Sequence, residues 1–296
     1  MNNPEQSINE LLLSVALGNK IEVTEEESAM LGAKVGLAVE RALSGRGAPK
    51  PRDKKAIYFS EIGSPCWRKV WYKFHGVPGE TLMPHALMKF LYGDLLEELV
   101  LFLAEKAGHR VENQQGEVEI ELDDGWVLRG RIDAEIDGKI VDVKSASTYA
   151  MKKFESLEVL RKDDPFGYED QLSGYAAGLN RVGDTAAFLA LDKTLGHLKW
   201  MEVPVGMGKV RDLTSKANAM AKMLEKEQPP AKMPGFEQPD GKSGNKKLAI
   251  TCSYCPYKNH CHQDTNGGRG LRSFLSSRGP VFLTEVKREP RMQEIK

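Results

Sequence analysis

No stretch of the chain approaches the roughly 20 consecutive apolar residues that a bilayer-spanning helix needs. The apolar run near the start, Leu11 to Leu17, is short and follows no basic segment, so neither an anchor nor a secretory leader is expected and the reading is of a cytoplasmic protein. Net charge is missing too: 42 Lys and Arg stand against 42 Asp and Glu, and the molecule as a whole offers no general attraction to a polyanion. Cysteine is scarce, with Cys66, Cys252, Cys255 and Cys261 the whole set; in a reducing compartment such a set points to metal binding before disulfides. There is no internal repeat. A phosphate-binding loop is absent as well. Gly241-Lys242-Ser243 looks like the end of one, but Phe236 stands where its first glycine belongs and no strand precedes it, which excludes an ATPase.

What is present is chain enough, 296 residues, for one large domain or two modest ones with a proper core. Charge is unevenly spread. From Arg46 to Lys73 there are eight basic residues (Arg46, Lys50, Arg52, Lys54, Lys55, Arg68, Lys69, Lys73) and two acidic ones, Asp53 and Glu61. That excess suits either a phosphate backbone or a solvated loop.

Thr24 to Glu27 is a capping-box pattern opening a helix to about Leu43, stopped by Ser44-Gly45. A Pro- and Gly-rich loop spans 46–56. A second helix starts near Ser64-Pro65 and carries Cys66, Trp67, Val70 and Trp71. A third runs from Pro84 to Ala107, with Gly108 as its cap. The texture then changes to alternation: Val111 to Leu122, Trp126 to Ile136 and Lys139 to Lys144, separated by Asp124-Gly125 and Asp137-Gly138, predict an antiparallel three-stranded meander. Helices are expected at 148–160 and 168–179, a hairpin at 186–191 and 198–203, and a long amphipathic helix at 208–227. Pro229-Pro230 opens a linker to the last three cysteines, and a Gly-, Ser- and Arg-rich tail follows.

The chemistry concentrates in Gly130-Arg131-Ile132-Asp133 and Ile140-Val141-Asp142-Val143-Lys144-Ser145. Asp133 and Asp142 sit on strands joined by a tight turn, so their side chains can converge at one end. Lys144, two residues after Asp142, shares its face, while Val141 and Val143 take the other. An Asp-x-Lys pair alone is common on exposed strands. A carboxylate and lysine buried together, however, are costly without a purpose, and phosphodiester hydrolysis supplies one. Hard oxygen ligands suit Mg²⁺ or Mn²⁺, and the lysine orients the water or stabilises the pentavalent transition state.

These segments resemble the core of the PD-(D/E)XK nucleases, in the branch containing the RecB nuclease domain. Gly93-Asp94-Leu95-Leu96-Glu97 on the third helix is similar to the first motif, with Glu97 at a ligand position where some relatives have His. Asp133 matches the second motif. Asp142, Val143 and Lys144 match the third, in which the main-chain carbonyl at Val143 also touches the metal. Gln171-Leu172-Ser173-Gly174-Tyr175 matches the fourth, whose Gln171 and Tyr175 contact DNA and brace the site. The resemblance spans roughly 60–262 and implies an α/β (α+β) restriction-endonuclease-like core, a mixed central sheet flanked by helices.

Cys252-x2-Cys255-x5-Cys261 with Cys66 suits Zn²⁺ or [4Fe–4S] by spacing alone; His260 and His262 are alternative ligands or exposed polar residues. The iron–sulfur nucleases of the RecB branch, including the CRISPR-associated exonucleases, have one cysteine before the core and three after it. That resemblance implies a [4Fe–4S] cluster joining the N- and C-terminal segments. It divides the chain into an N-terminal helical segment at 1–83, a nuclease core at 84–228, a cysteine segment at 229–262 and a basic, flexible tail at 263–296. The activity it implies is a Mg²⁺- or Mn²⁺-dependent exonuclease acting at single- or double-stranded DNA ends in replication, recombination, repair or CRISPR adaptation, in the host cytoplasm if phage-encoded. A structure- or sequence-specific endonuclease and a non-catalytic DNA-binding subunit are the alternatives.

Overall fold

The computed structural model describes residues 2–44, 53, 55–277 and 279–295. Arg46, Lys50, Arg52 and Lys54 of the basic stretch, and the Gly45 stop signal, lie outside the described residues. In chain order the elements are α1 (Pro4–Ala16), α2 (Glu25–Leu43), β1 (Ala56–Tyr58), α3 (Phe59–Ile62), α4 (Trp67–Phe74), α5 (Pro84–Lys106), β2 (Val111–Glu112), β3 (Glu117–Glu121), β4 (Val127–Arg131), β5 (Ala134–Ile136), β6 (Lys139–Ala146), α6 (Thr148–Met151), α7 (Leu157–Lys162), α8 (Tyr168–Gly178), β7 (Thr185–Asp192), β8 (Leu198–Pro204), α9 (Met207–Leu224), β9 (Glu237–Pro239), β10 (Lys246–Leu248), β11 (Arg272–Ser276), β12 (Gly279–Glu285) and β13 (Gln293–Ile295). They form two compact units, 1–63 with 83–221 and 64–82 with 222–296. No described helix is long and apolar enough to cross a membrane.

The first unit is of mixed α/β class. Its main sheet has the order β2-β5-β6-β7-β8, antiparallel except where β6 runs parallel to β7. That parallel pair needs a crossover, and α6 to α8 provide it. One face of the sheet receives α1 and α5 through a core of Ile8, Val100, Leu101, Ala104, Val141 and Leu189. On the other, Phe188 packs at a tilt against Phe154 and Tyr168. The capping boxes are made as their residues dictate. In α2 the Thr24 side chain accepts from the Glu27 amide and Glu27 accepts from the Thr24 amide. An unforeseen α1 begins in the same way at Asn3 and Gln6.

The expected single meander is instead shared between two sheets. β3 and β4 pair with each other and then with β1, parallel to β4, whereas β2 and β5 belong to the main sheet. The reason is local. Asn113 and Gln115 have φ of 49° and 56°, left-handed values that interrupt an extended run. The opposite strand breaks at Ile132-Asp133. Both foreseen turns hold, with Asp124, Gly125, Asp137 and Gly138 all at positive φ. The helix expected over 148–160 is broken into α6, a 3₁₀ turn at 152–154 and α7; Ser156 caps α7 by accepting from the Val159 amide and so restarts the helix.

The second unit is built on an antiparallel sheet of order β13-β11-β12-β10-β9. Residues 263–296, expected as a flexible tail, supply three of these strands, and the 229–248 linker supplies the other two. Buried Leu248, Phe274 and Leu283 give this sheet a core; at its surface Arg272 pairs with Glu289 and Glu294 at 2.7 Å each, and Asn245 Oδ1 accepts from the amides of Lys287 and Arg288. Residues 64–82 join this unit through hydrogen bonds from Arg68 Nη1 to Pro230 O (2.7 Å) and from Trp71 Nε1 to Lys226 O (2.9 Å).

Candidate active site

In β6, Asp142 is 1 % exposed, and Lys144 Nζ lies 2.5 Å from its Oδ2. Apart from that ion pair, the buried Oδ2 has no hydrogen-bond partner. The two side chains share one face, as their spacing requires, and the ammonium also lies 5.1 Å from the centre of the Tyr168 ring. Burial alone would pull Lys144 down, but the Asp142 and Asp133 carboxylates outweigh it and hold the lysine protonated well above its usual range. Asp142 itself is pushed up by burial, with Lys144 opposing.

Asp133 occupies the break between β4 and β5. Its Oδ2 accepts from the Val143 amide at 2.6 Å, which ties it across to β6. Burial first, then the Asp142 charge, pushes its carboxyl up to about 7. Glu97, in the middle of α5, completes the group. Burial pushes it up to about 8, and Asp133, Glu98, Asp142 and Asp94 each add repulsion. Three carboxyls, brought from a helix, a strand break and a strand, lie near enough for the charges of Asp133 and Asp142 to act on Glu97 and for that of Asp142 to act on Asp133. Such a set awaits positive charge.

On α8, Gln171 Nε2 donates to Tyr175 Oη at 2.7 Å. Burial and the Asp142 charge both push the Tyr175 phenol up, so it stays protonated. The Tyr175 ring meets Phe59 edge-on at 5.1 Å. Gly130 passes between them: a Cβ there would lie 2.8 Å from the Phe59 ring and 3.1 Å from that of Tyr175. Beside them opens a cleft of about 430 Å³ lined by Tyr58, Phe59, Arg129, Arg131, Gln171 and Tyr175, among others.

Two contributors escaped the sequence reading. Tyr168 shares a helix face with Gln171 and Tyr175 at spacings of three and seven, a signal that was available. Gln115 donates from Nε2 to Glu97 Oε1 at 2.7 Å and from its backbone amide to Asp133 O at 3.1 Å; a residue in an irregular turn offers no periodicity to find it by. Among the described residues, no three His, Cys, Asp or Glu side chains already converge on a point where a metal ion would sit. Lys144 is the cation that Asp142 holds here. The donors are nevertheless hard, buried carboxylate oxygens, and they fit Mg²⁺ or Mn²⁺ in type.

The sequence profile of the PD-(D/E)XK nuclease superfamily matches residues 15–262. The chain belongs to this superfamily. No curated protein matches it significantly. Among solved structures it is similar to SSO0001 (14% identity, TM-score 0.45, covering 75% of this chain and 92% of that one). It is also similar to LHK-Exo, an alkaline exonuclease from Laribacter hongkongensis (14% identity, TM-score 0.43, 63% and 92% covered), and to LHK-Exo in complex with dAMP (15% identity, TM-score 0.42, 57% and 87% covered).

In this PD-(D/E)XK chain the four cysteines all fall in the second unit and all are free thiols. Cys66 stands at the N-cap of α4. Burial, then the neighbouring Cys66, Cys255 and Cys261, pushes the Cys252 thiol up to about 12; burial also raises Cys255 and Cys261. Cys66 lies near enough to act on each of the other three, and in type four sulfurs suit a soft metal centre. Both histidines pack on aromatic rings, and the buried Nδ1 of His262 has no hydrogen-bond partner among the described residues. His260 meets the Tyr72 ring edge-on at 5.0 Å. His262 packs on Phe236 at 5.2 Å, and burial and Lys232 pull it down to about 4.

Proposed function

We propose that the chain is a Mg²⁺- or Mn²⁺-dependent deoxyribonuclease that removes nucleotides from DNA ends, in the manner of the RecB-type branch its motifs resemble. What supports this reading is the buried Asp142–Lys144 pair, with Asp133 tied to the Val143 amide beside it and Glu97 near enough to feel the charges of both aspartates. Glu97, Asp133, Asp142 and the Val143 carbonyl are the residues that would hold the cation. When bound, it lowers the pKa of a water molecule and neutralises charge on the phosphate. Lys144 keeps its proton and offers a fixed positive charge to the oxygens of the pentavalent phosphorus. Tyr168 limits the positions that ammonium can take. Gln171 and Tyr175 face the adjoining cleft, whose aromatic rings suit stacked bases; its arginines, Arg129 and Arg131, are paired there with Asp53, Glu119 and Glu117.

The cysteines of the second unit are assigned to a structural [4Fe–4S] cluster. They lie outside the hydrolytic group, and they bring residues 64–82 to the C-terminal segment, closing a long loop of chain.

Digestion of end-labelled linear DNA, beside closed circles of the same sequence, tests the activity. Stepwise loss of mononucleotides from linear substrate, dependent on Mg²⁺ or Mn²⁺ and absent on closed circles, is expected. Cleavage of the circles would move the reading to an endonuclease, and inertness on all substrates to a DNA-binding subunit.

A further inference from the structure

We propose that Gln115 is a positioning residue that orients the cation-binding carboxylates, through a short bracket of chain between β2 and β3. The inference rests on the metal site proposed above. Glu97 and Asp133 come from elements with no covalent reason to keep a fixed separation: one is mid-helix, the other in a strand break. Gln115 touches both. Its side-chain amide donates to Glu97 Oε1 at 2.7 Å, and its backbone amide donates to the Asp133 carbonyl at 3.1 Å. One residue thereby sets the Glu97 carboxylate against the main chain that carries Asp133. With Oε1 held, Oε2 is the oxygen left for the cation.

The bracket is anchored on every side. Asn113 Nδ2 donates to Glu135 Oε1 at 2.9 Å, and Arg181 Nη2 holds the other oxygen of Glu135 at 2.5 Å. Lys34 Nζ donates to Gln114 Oε1 at 2.5 Å. The Ile132 amide donates to Gly116 O at 3.0 Å. The turn is so tight that a Cβ on Gly116 would lie 2.2 Å from Asn113 Oδ1. Gln115 itself sits at φ 56°, a conformation that costs a non-glycine residue energy. Turn residues at such φ are usually Gly, Asn or Asp. The long amide side chain at this position has a function the backbone does not need: it donates to Glu97.

Partners that hydrogen-bond to metal ligands typically change metal affinity by about 10- to 100-fold. The test is Mn²⁺ binding by the whole chain, measured by calorimetry, in Gln115→Met and Gln115→Gly. The first keeps volume without the donor; the second also loses the donor but suits the positive φ, so its fold is not at risk. Both are expected to bind Mn²⁺ about tenfold more weakly, while the urea midpoint of Gln115→Gly is no lower than that of the unaltered chain. In nuclease assays the loss should appear as a higher Mn²⁺ concentration for half-maximal rate, largely recovered at saturation. Mn²⁺ affinity within twofold of the unaltered chain in both variants overturns the positioning role and leaves the nuclease reading intact. Failure of the unaltered chain to bind Mn²⁺, or undiminished binding in Asp133→Asn, overturns the metal site and this inference together.

Discussion

Lys144 has two carboxyl neighbours, Asp142 at 2.5 Å and Asp133, which together raise its affinity for its proton. Lys144→Ala removes that charge but no carboxylate. Calorimetric Mn²⁺ binding should therefore persist or tighten, while single-turnover hydrolysis falls by about 100-fold or more; normal turnover would reduce Lys144 to a structural counter-ion. The carboxyls make a second prediction. Glu97 and Asp133 rise from usual values of 4.5 and 3.8 to about 8 and about 7. Between about pH 4 and pH 8 the native state thus holds protons that the unfolded chain has released, and these groups make the metal-free protein less stable as pH rises. A divalent cation displaces those protons, and at higher pH there are fewer to displace. The rise in Tm on adding Mg²⁺ should be larger at pH 8.5 than at pH 6, and activity should climb through the same window. An equal rise at both pH values would show that the carboxyls are not the binding group.

At the scale of elements, the site depends on close approaches that only glycine permits. A Cβ on Gly174 would lie 2.4 Å from the Phe59 ring and 3.2 Å from Leu213. Gly174→Ala should cost about 1–3 kcal/mol by overpacking. It should also lower activity disproportionately, because α8 must shift and carries Gln171 and Tyr175. Thr24→Ala is the control: loss of the α2 cap, which accepts from the Glu27 amide at 3.1 Å, should cost about 1 kcal/mol and leave turnover unchanged. Denaturant midpoints with parallel rate measurements separate the two. The elements themselves were legible where pattern and cap agree: α2, α5, α8, the β7–β8 hairpin and α9 lie within a few residues of expectation. The meander was not, because alternation through Val111 to Leu122 carries no mark of the left-handed kink at Asn113 and Gln115. Nor was the final sheet, whose buried Leu248, Phe274 and Leu283 sit in short strands separated by polar turns and meet only through pairing across the sheet.

Over the whole molecule, the two units make separable predictions. If the four cysteines hold [4Fe–4S], protein purified without oxygen should be brown with roughly four irons per chain; a colourless protein with one zinc would replace the cluster and leave the nuclease reading standing. Binding energy at a structural metal centre is also folding energy, so Cys252→Ala should make residues 222–296 sensitive to trypsin while a core from the first unit persists. Undiminished protease resistance together with full iron content would remove Cys252 from the ligand set.

The chemistry was written in order along the chain. Asp142 and Lys144 share a face because a strand's period is two, and Asp133 precedes them at hairpin spacing; Glu97, Gln171 and Tyr175 stand out through their resemblance to the nuclease motifs. Tertiary structure decided what no period encodes. It grouped Cys66 with cysteines almost two hundred residues away, ordered a polar C-terminal segment as sheet, and set an irregular turn at Gln115 between two acids. Those outcomes rest on contacts between residues far apart in sequence, whose energies exist only once the chain has closed on itself.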